Sequence, residues 1–291
     1  MVVVDIGYNL RQQVDVREGF DPANVEALTE KVEGRLPLNV QVQFYKTETH
    51  ELVKDEVVDA KGGVVSIEPG SYDLLIYNPA TKATSVEGKT LDGKRAATQI
   101  THREYDIGGY RDVITEPDHL YLARIENVEV LPAKKDTHAV TYASALASSI
   151  LNTYTFEMTD VEGMEYITEY ELFLTSQEGR SFLWKPREGN LPGALKLNAW
   201  YDSKKRRIYS IFNTFGRYKD YKEKVKVVLV VINTAGNQYI FDFDVTEQFD
   251  NPDNTGQSIV VDQHVSIPDD GGKGGFAPEV NPWPEQVIIT D

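Results

Sequence analysis

The chain has 291 residues and no cysteine, which excludes disulfides, thiolate metal ligands and a cysteine nucleophile. Its formal net charge of -16 repels phosphate backbones and argues against a nucleic-acid partner. The dense basic run at residues 204–207 follows Asp202 and is typical of a charged turn. A hydrophobic fraction of 41% is that of a globular protein, and the length allows two domains.

One segment near the start of the chain has the pattern of a helix. Asp21 can cap its N-terminus, and Pro22 suits the first helical position. Val25, Leu28 and Val32 then recur on one face of the segment. These residues predict one short helix at residues 21–34.

Residues 62–78 predict a β-hairpin. A Gly-Gly pair opens the stretch, residues 64–67 form one arm, and Pro69-Gly70 provides a turn before the second arm at residues 72–77. Tyr72, Leu74 and Ile76 point to one side of this second arm, and apolar side chains also point to the other. We therefore expect an inner strand that is covered on both faces.

The second half of the chain alternates with period two, as half-buried strands do. Strands are predicted at residues 153–159, 238–245 and 259–267, and the apolar run at 225–232 predicts a central strand followed by a turn at 233–237. In the first of these strands, Thr153, Thr155 and Glu157 are expected on the solvent side. Residues 139–151 are compatible with either a strand or a helix.

Strands outnumber helices and turn signals recur along the chain, which favours an all-β fold built from β-sandwiches. A polar segment with a proline at residues 131–137 is the best candidate for a boundary. We therefore predict an N-terminal β-sandwich at residues 1–134 and a C-terminal β-sandwich at residues 135–291. The short predicted helix belongs to the first domain.

Several short strings resemble motifs but lack the surroundings that their chemistry requires. Residues 88–90 read Gly-Lys-Thr, yet Ala83 stands where a phosphate-binding loop needs glycine. Residues 272–277 match the spacing of a dinucleotide fingerprint, but prolines follow where a helix must open. Asp242 and Asp244 share a strand face and could bind calcium or act as paired acids, although solvent-facing acids are commoner.

Other candidate groups are equally inconclusive. The acidic loop at residues 250–256 lacks the ligand pattern of an EF-hand, and the five histidines show no metal-ligand spacing. Trp184, Trp200 and Trp283 could form a sugar-stacking platform, while packing inside the protein is their commoner use. The sequence thus predicts no catalytic, cofactor-binding or metal-binding residue, and we expect a protein that is not an enzyme.

Three stretches resemble the fimbrillin-A-associated anchor and minor-fimbrial proteins, which belong to the type V pili of anaerobic Gram-negative bacteria. The first stretch combines VQVQFYKTET at residues 40–49 with EPGSYDLLIYNPATKATSVEG at 68–88. The second is NTYTFEMTDVEGMEYITEYELFLT at 152–175, and the third is HVSIPDDGGKGGFAPEVNPWPEQVIIT at 264–290. They occur in the order that the family shows and together span nearly the whole chain.

The resemblance implies two transthyretin-like Greek-key β-sandwich domains in a non-enzymatic protein on the outer membrane surface. The protein would be an anchor or an accessory or tip subunit, whose fimbrial partners join by β-strand addition at an open sheet edge. Family anchors are lipoproteins tethered through a cysteine after a signal peptide. These residues include neither feature, so lipid anchoring is expected only if the full-length gene encodes them.

Two alternatives remain open from the residues. The predicted final strand at 287–290 could exchange with another subunit or pair within its own domain. The tryptophans and the sixteen tyrosines would also suit a surface glycan-binding lipoprotein, which is a different functional class.

Overall fold

The computed structural model describes residues 1–9, 36–79, 81–132, 139–185, 191–218, 223–254 and 257–269. The predicted helix at 21–34 and the predicted last strand at 287–290 lie outside these ranges. The described residues form strands, turns and one helix of five residues, α1 (Thr246–Asp250). The all-β prediction is therefore confirmed, while the transthyretin-like topology stays a prediction.

The strands of the first half are short and closely spaced. In chain order they are β1 (Val2–Asn9), β2 (Asn39–Lys46), β3 (Leu52–Asp59), β4 (Gly62–Val65), β5 (Gly70–Tyr77), β6 (Thr84–Glu87), β7 (Arg95–Thr98), β8 (Ile100–Ile107), β9 (Tyr110–Ile114), β10 (Tyr121–Val130) and β11 (Thr141–Ser149).

The second half continues in the same manner. Its strands are β12 (Asn152–Met158), β13 (Val161–Glu162), β14 (Ile167–Glu178), β15 (Arg180–Phe182), β16 (Pro192–Leu197), β17 (Ala199–Asp202), β18 (Arg207–Thr214), β19 (Lys226–Asn233), β20 (Gln238–Asp244), β21 (Ser258–Val261) and β22 (Val265–Ser266).

Seven strands close into a barrel in the order β1-β11-β10-β5-β2-β3-β4. Strand β1 completes it by pairing antiparallel with β4 and parallel with β11. Val2, Val4 and Ile6 of β1 point into the barrel, because alternate side chains of a strand face opposite sides. The stretch at residues 139–151, which the sequence left open, contributes strand β11.

The predicted hairpin at residues 62–78 is wrong, because its two arms do not pair with each other. Strand β4 pairs with β1 and β3, whereas β5 pairs with β2 and β10. Gly62 explains the difference: its φ is +114°, and a Cβ there would lie 2.0 Å from the carbonyl oxygen of Val4. Glycine thus permits β4 to approach β1, where any side chain would collide.

Strand β5 is buried on both faces, as the sequence predicted. Tyr72, Leu74 and Ile76 point into the barrel core. Leu75 and Tyr77 point outward into a second core that joins the barrel to the rest of the molecule. We call this core the seam cluster; its buried members are Tyr45, Leu75, Tyr77, Leu91, Ala96, Leu120, Leu122, Leu151, Leu183, Trp184 and Phe215.

The remaining large sheets face each other across the main core of the second half. One has six strands in the order β20-β19-β14-β16-β9-β8, and the other has four in the order β17-β18-β12-β21. Strand β19 has neighbours on both edges, and its valines enter apolar clusters on both faces. The predicted central strand and the turn after it, which the Asn233 side chain stabilises, are confirmed.

The predicted solvent face of β12 is buried instead. Thr153, Thr155 and Glu157 are at most 3% exposed. Two of these three polar side chains have partners: the Thr153 hydroxyl donates to the Asn213 side chain at 2.6 Å, and Arg207 donates to Glu157 at 2.5 Å, while the buried Thr155 hydroxyl has none among the described residues. Buried polar groups are tolerated where such partners exist, so a polar alternation does not require solvent.

Strand pairing among the described residues crosses residue 134 at four places, one of which is the antiparallel pairing of β10 with β11. Strand β1 pairs with β11, β7 pairs with β15, and β9 pairs with β16. Sheets therefore join strands from both sides of the predicted boundary, and the division into residues 1–134 and 135–291 stays a prediction. The smallest sheets are β15-β7-β6 and the parallel pair β13-β22.

Leu75→Ala tests the seam cluster. Leu75 is fully buried, so we expect truncation to cost about 2–5 kcal/mol of the free energy of unfolding. Leu146→Ala is the control, because that side chain is 64% exposed and should cost about 0.5 kcal/mol or less. Urea unfolding measures the free energy of unfolding of both variants. Equal losses would contradict the conclusion that the seam cluster stabilises the fold.

Candidate functional site

The paired acids of β20 are each held by a lysine. Lys226 lies 2.6 Å from Asp242, and Lys224 lies 2.6 Å from Asp244. Burial alone would raise the pKa of Asp244, but hydrogen bonds from Lys224 and Thr246 lower it to about 2. The two carboxylates thus form separate ion pairs instead of one acidic site.

The acidic loop and most histidines also have protein partners. Asp250, at the start of the loop, pairs with Arg217. The ring of His50 lies 2.6 Å from Asp92, and that of His102 lies 2.9 Å from Asp112. His119 stacks on an aromatic ring, so these histidines lie apart in the structure as the sequence suggested.

One cluster that sequence spacing did not reveal contains Asp160, Glu162 and His264. The parallel pairing of β13 with β22 brings these distant residues together. Arg206 donates to both carboxylates, and the His264 ring lies 2.9 Å from Asp160. A cation from the protein itself already compensates the acids, so the geometry is that of a surface ion-pair network.

The tryptophans do not assemble into a platform within the described part of the chain. Trp184 is buried in the seam cluster. Trp200 is half-buried and stacks on Tyr209 with ring centroids 5.9 Å apart. Trp283 and the glycine-rich string at 272–277 lie outside the described residues.

Gly88 confirms that residues 88–90 form a turn. Its φ is +98°, and a Cβ would lie 2.2 Å from the carbonyl oxygen of Gly93. A 3-10 turn at Leu91–Gly93 follows, where a phosphate-binding loop would need a longer helix. The glycine serves a tight reversal of the chain.

The outer edges of the two large sheets differ in how well they could accept a further strand. Strand β8 has a register shift and carries His102, Arg103 and Glu104, and such irregularity and charge protect an edge. Strands β17 and β21 have four residues each. Strand β20 is the exception: it pairs with β19 over seven residues without a shift.

The backbone groups of β20 alternate between its neighbour and its outer edge. The Val245 N–H donates to the Val225 carbonyl, and the Asn233 N–H donates to the Asn237 carbonyl, both at 2.9 Å. In an antiparallel ladder every second residue pair exchanges hydrogen bonds. Because the pairs 225/245 and 233/237 are bonded, residues 239, 241 and 243 between them are also bonded to β19. Residues 238, 240, 242 and 244 direct their amides outward, where no described strand pairs with them.

The barrel also has an apolar outer face opposite the seam cluster. Val3 of β1 lies between Tyr142 of β11 and Val64 of β4 in one cross-strand row. Tyr142 is 77% exposed and Val64 is 62% exposed, and Val57 and Leu146 on the flanking strands are exposed as well. No described residue covers this face.

A cleft of about 530 Å³ opens where barrel loops meet the strands of the six- and four-stranded sheets. Its lining residues are Ala83, Thr101, Arg103, Val113, Thr115, Glu116, Pro117, Asp118, His119, Lys196, Asn198 and Asn213. Behind its wall, Arg103 and Lys196 donate to the same oxygen of Glu171, at 3.0 and 2.6 Å. Tyr105 donates to the other oxygen at 2.6 Å.

This network fixes the ionisation of Glu171. Burial would raise its pKa, but hydrogen bonds from Lys196 and Tyr105 and the charges of Lys196 and Arg103 lower it below 4.5. Burial and the hydrogen bond to Glu171 raise the pKa of Tyr105 to about 12. Glu171 is therefore a carboxylate and Tyr105 a neutral donor at neutral pH.

No helix among the described residues has the length and apolar character needed to cross a membrane.

Comparison with known proteins gives a family and a set of relatives. The family model described as "Domain of unknown function (DUF5119)" matches residues 11–183. A Bacteroides ovatus protein with the provisional name fimbrium anchoring subunit Fim4B is 22% identical, with 88% of this chain and 86% of that protein covered. This relative confirms the resemblance to fimbrial anchor proteins, and its name describes no enzyme, as expected.

Solved structures share the fold. A Bacteroides ovatus protein provisionally named an adhesin has a TM-score of 0.64 at 16% identity, covering 91% of this chain and 92% of its own. A Bacteroides thetaiotaomicron protein provisionally named as polysaccharide binding (DUF1812) has a TM-score of 0.53 at 12% identity, covering 91% of this chain and 90% of its own. At such identities the likeness concerns the fold alone.

Glu171→Gln tests the network behind the cleft. Because the pKa of Glu171 is lowered by folding, its ionisation stabilises the protein above the ordinary value of 4.5, and this stabilisation disappears as the pH falls through the lowered value. At pH 7 we expect the variant to lose about 1 kcal/mol of the free energy of unfolding.

Urea unfolding between pH 7 and pH 3 measures the effect. The difference in the free energy of unfolding between wild type and Glu171→Gln should become smaller below about pH 4. Glu104→Gln, which removes an exposed charge on β8, is the control and should leave the pH profile nearly unchanged. A difference in the free energy of unfolding that stays constant with pH would contradict the conclusion that ionised Glu171 stabilises the fold.

Proposed function

The chain belongs to the DUF5119 family, and from its relatives and sheet edges we propose that it is a surface structural protein of a fimbrial system. It would act as an anchor or as an accessory or tip subunit at the outer membrane. The observation that carries this proposal is the similarity to the fimbrium anchoring relative, which extends over 88% of the chain. A lipid anchor belongs to this proposal only if the full-length gene encodes a lipoprotein signal and its cysteine.

The outer edge of β20 supports assembly through sheet pairing. A partner strand needs a regular row of outward amides and carbonyls, and residues 238, 240, 242 and 244 supply one. The edge contains no proline and no register shift, so it lacks two of the usual forms of edge protection. An extended segment of another fimbrial subunit would continue the six-stranded sheet at this edge.

The apolar outer face of the barrel supports the same role. Exposed apolar patches of this kind are typical of surfaces that contact other proteins. The face lies on a different sheet from β20, so the two surfaces could contact a partner independently.

Ile240→Pro tests strand addition at β20. The Ile240 amide points away from β19, so proline removes an outward donor without breaking a ladder bond. We expect binding to fimbrial subunits from the same organism to weaken about tenfold or more, as measured by biolayer interferometry. Ile240→Thr keeps the amide and is the matched control, with binding close to wild type.

Two results would contradict different parts of the proposal. Unchanged binding by a correctly folded Ile240→Pro variant would exclude β20 as the acceptor edge. The fimbrial role itself would be excluded by two results together. No fimbrial subunit from the same organism would bind the wild-type chain, and cells that lack the gene would still form normal fimbriae.

A further inference from the structure

The cleft lined by Arg103, Lys196, Glu116 and Asp118 has the size of a ligand-binding site. Its volume of about 530 Å³ lies within the range of about 300–1,000 Å³ that is usual for small-molecule sites. It is built from β8, β9, β16 and β18 and from the loops that carry residues 83, 115–119 and 198. Sites often lie where structural units meet in this way.

The charges of the side chains that line the cleft cancel, and Glu171 behind the wall adds one further negative charge. Arg103 and Lys196 contribute two positive charges, and Glu116 and Asp118 contribute two negative ones. An ion entering the cleft would therefore be attracted by one pair and repelled by the other. A neutral ligand that both donates and accepts hydrogen bonds could use all four groups.

The acidic groups are held in place before any ligand arrives. Glu116 accepts the Asn213 amide at 2.9 Å and the Asn198 side chain at 3.3 Å. Asp118 accepts the Ala83 amide at 2.7 Å, while its own amide donates to the Thr84 hydroxyl at 2.9 Å. These contacts hold both carboxylates in fixed orientations on the cleft wall.

The basic side of the wall is also fixed. Glu171 positions both Arg103 and Lys196 from behind. The contact with Glu171 uses Nη2 of Arg103, and a guanidinium carries five N–H donors, so donor capacity remains beyond this contact. Preorganised donors of this kind lower the entropy that a ligand must lose on binding.

The remaining lining residues suit a ligand with both hydroxyl groups and apolar faces. Val113, Pro117 and Ala83 provide apolar surface, while Thr101 and the two asparagines provide neutral hydrogen-bonding groups. We infer that the cleft binds an uncharged saccharide, whose hydroxyls bond the polar side chains and whose C–H faces lie on the apolar ones. This binding would add glycan recognition to the chain, independently of the fimbrial role and without a tryptophan platform.

The experiment titrates the purified chain with methyl glycosides of glucose, galactose, mannose and N-acetylglucosamine, and with glucuronate and galacturonate as charged probes. Saturation-transfer NMR and calorimetry detect binding, and we expect a dissociation constant in the millimolar range for a neutral glycoside. Lys196→Met and Asn198→Ala should weaken this binding about fivefold or more, because both side chains are exposed on the cleft wall. Lys204→Met, on the exposed turn after β17, is the matched control and should bind as wild type.

Thr101→Trp provides a second test, since a large side chain at the rim should obstruct the cleft without altering a buried position. Retention of neutral-sugar binding in both Asn198→Ala and Thr101→Trp would place the binding elsewhere and overturn the inference. Preference for the uronates, or failure of all four neutral glycosides at about 10 mM, would overturn it as well. Circular dichroism and urea unfolding confirm that each variant is folded.

Discussion

The burial of β5 on both faces is the constraint on which the rest of the structure depends. Leu74 and Ile76 contribute to the barrel core, and Leu75 and Tyr77 contribute to the seam cluster. A slip of one residue would exchange these two sets of side chains, so a single register fixes both cores. Leu120 in the same cluster adjoins the loop that lines the cleft, and the geometry of the cleft therefore depends on this strand.

Local patterns predicted those features that a single segment determines. The two apolar faces of β5, the central position of β19 and the turn at Asn233 are each encoded within about ten residues. The pairing of β4 was not predictable in this way, because it depends on Val4 in a distant strand. The alanine-rich β11 has weak strand propensity, and its pairing with β1 determines its conformation instead.

The candidate sites depend on such distant contacts even more. The alternation of β20 is visible in the sequence, but its open outer edge follows from the order of the sheet. The cleft combines five separated segments of the chain, so no motif could indicate it. The same holds for the cluster of Asp160, Glu162 and His264, whose members come together through β13 and β22. Burial of the polar side of β12 likewise depends on partners elsewhere in the chain, such as Asn213.

The parallel pairing of β1 with β11 has a consequence for the order of folding. The Met1 amino group donates to the carbonyl of Ala139, a contact that spans 138 positions of the chain. Contacts this distant in sequence form slowly, because a long loop must close before they provide any stabilisation. Val2, Val4 and Ile6 therefore lack their final neighbours until residues 141–148 have been synthesised. Until β11 is available, the apolar side of β1 is open to chaperones or to the strands of other chains.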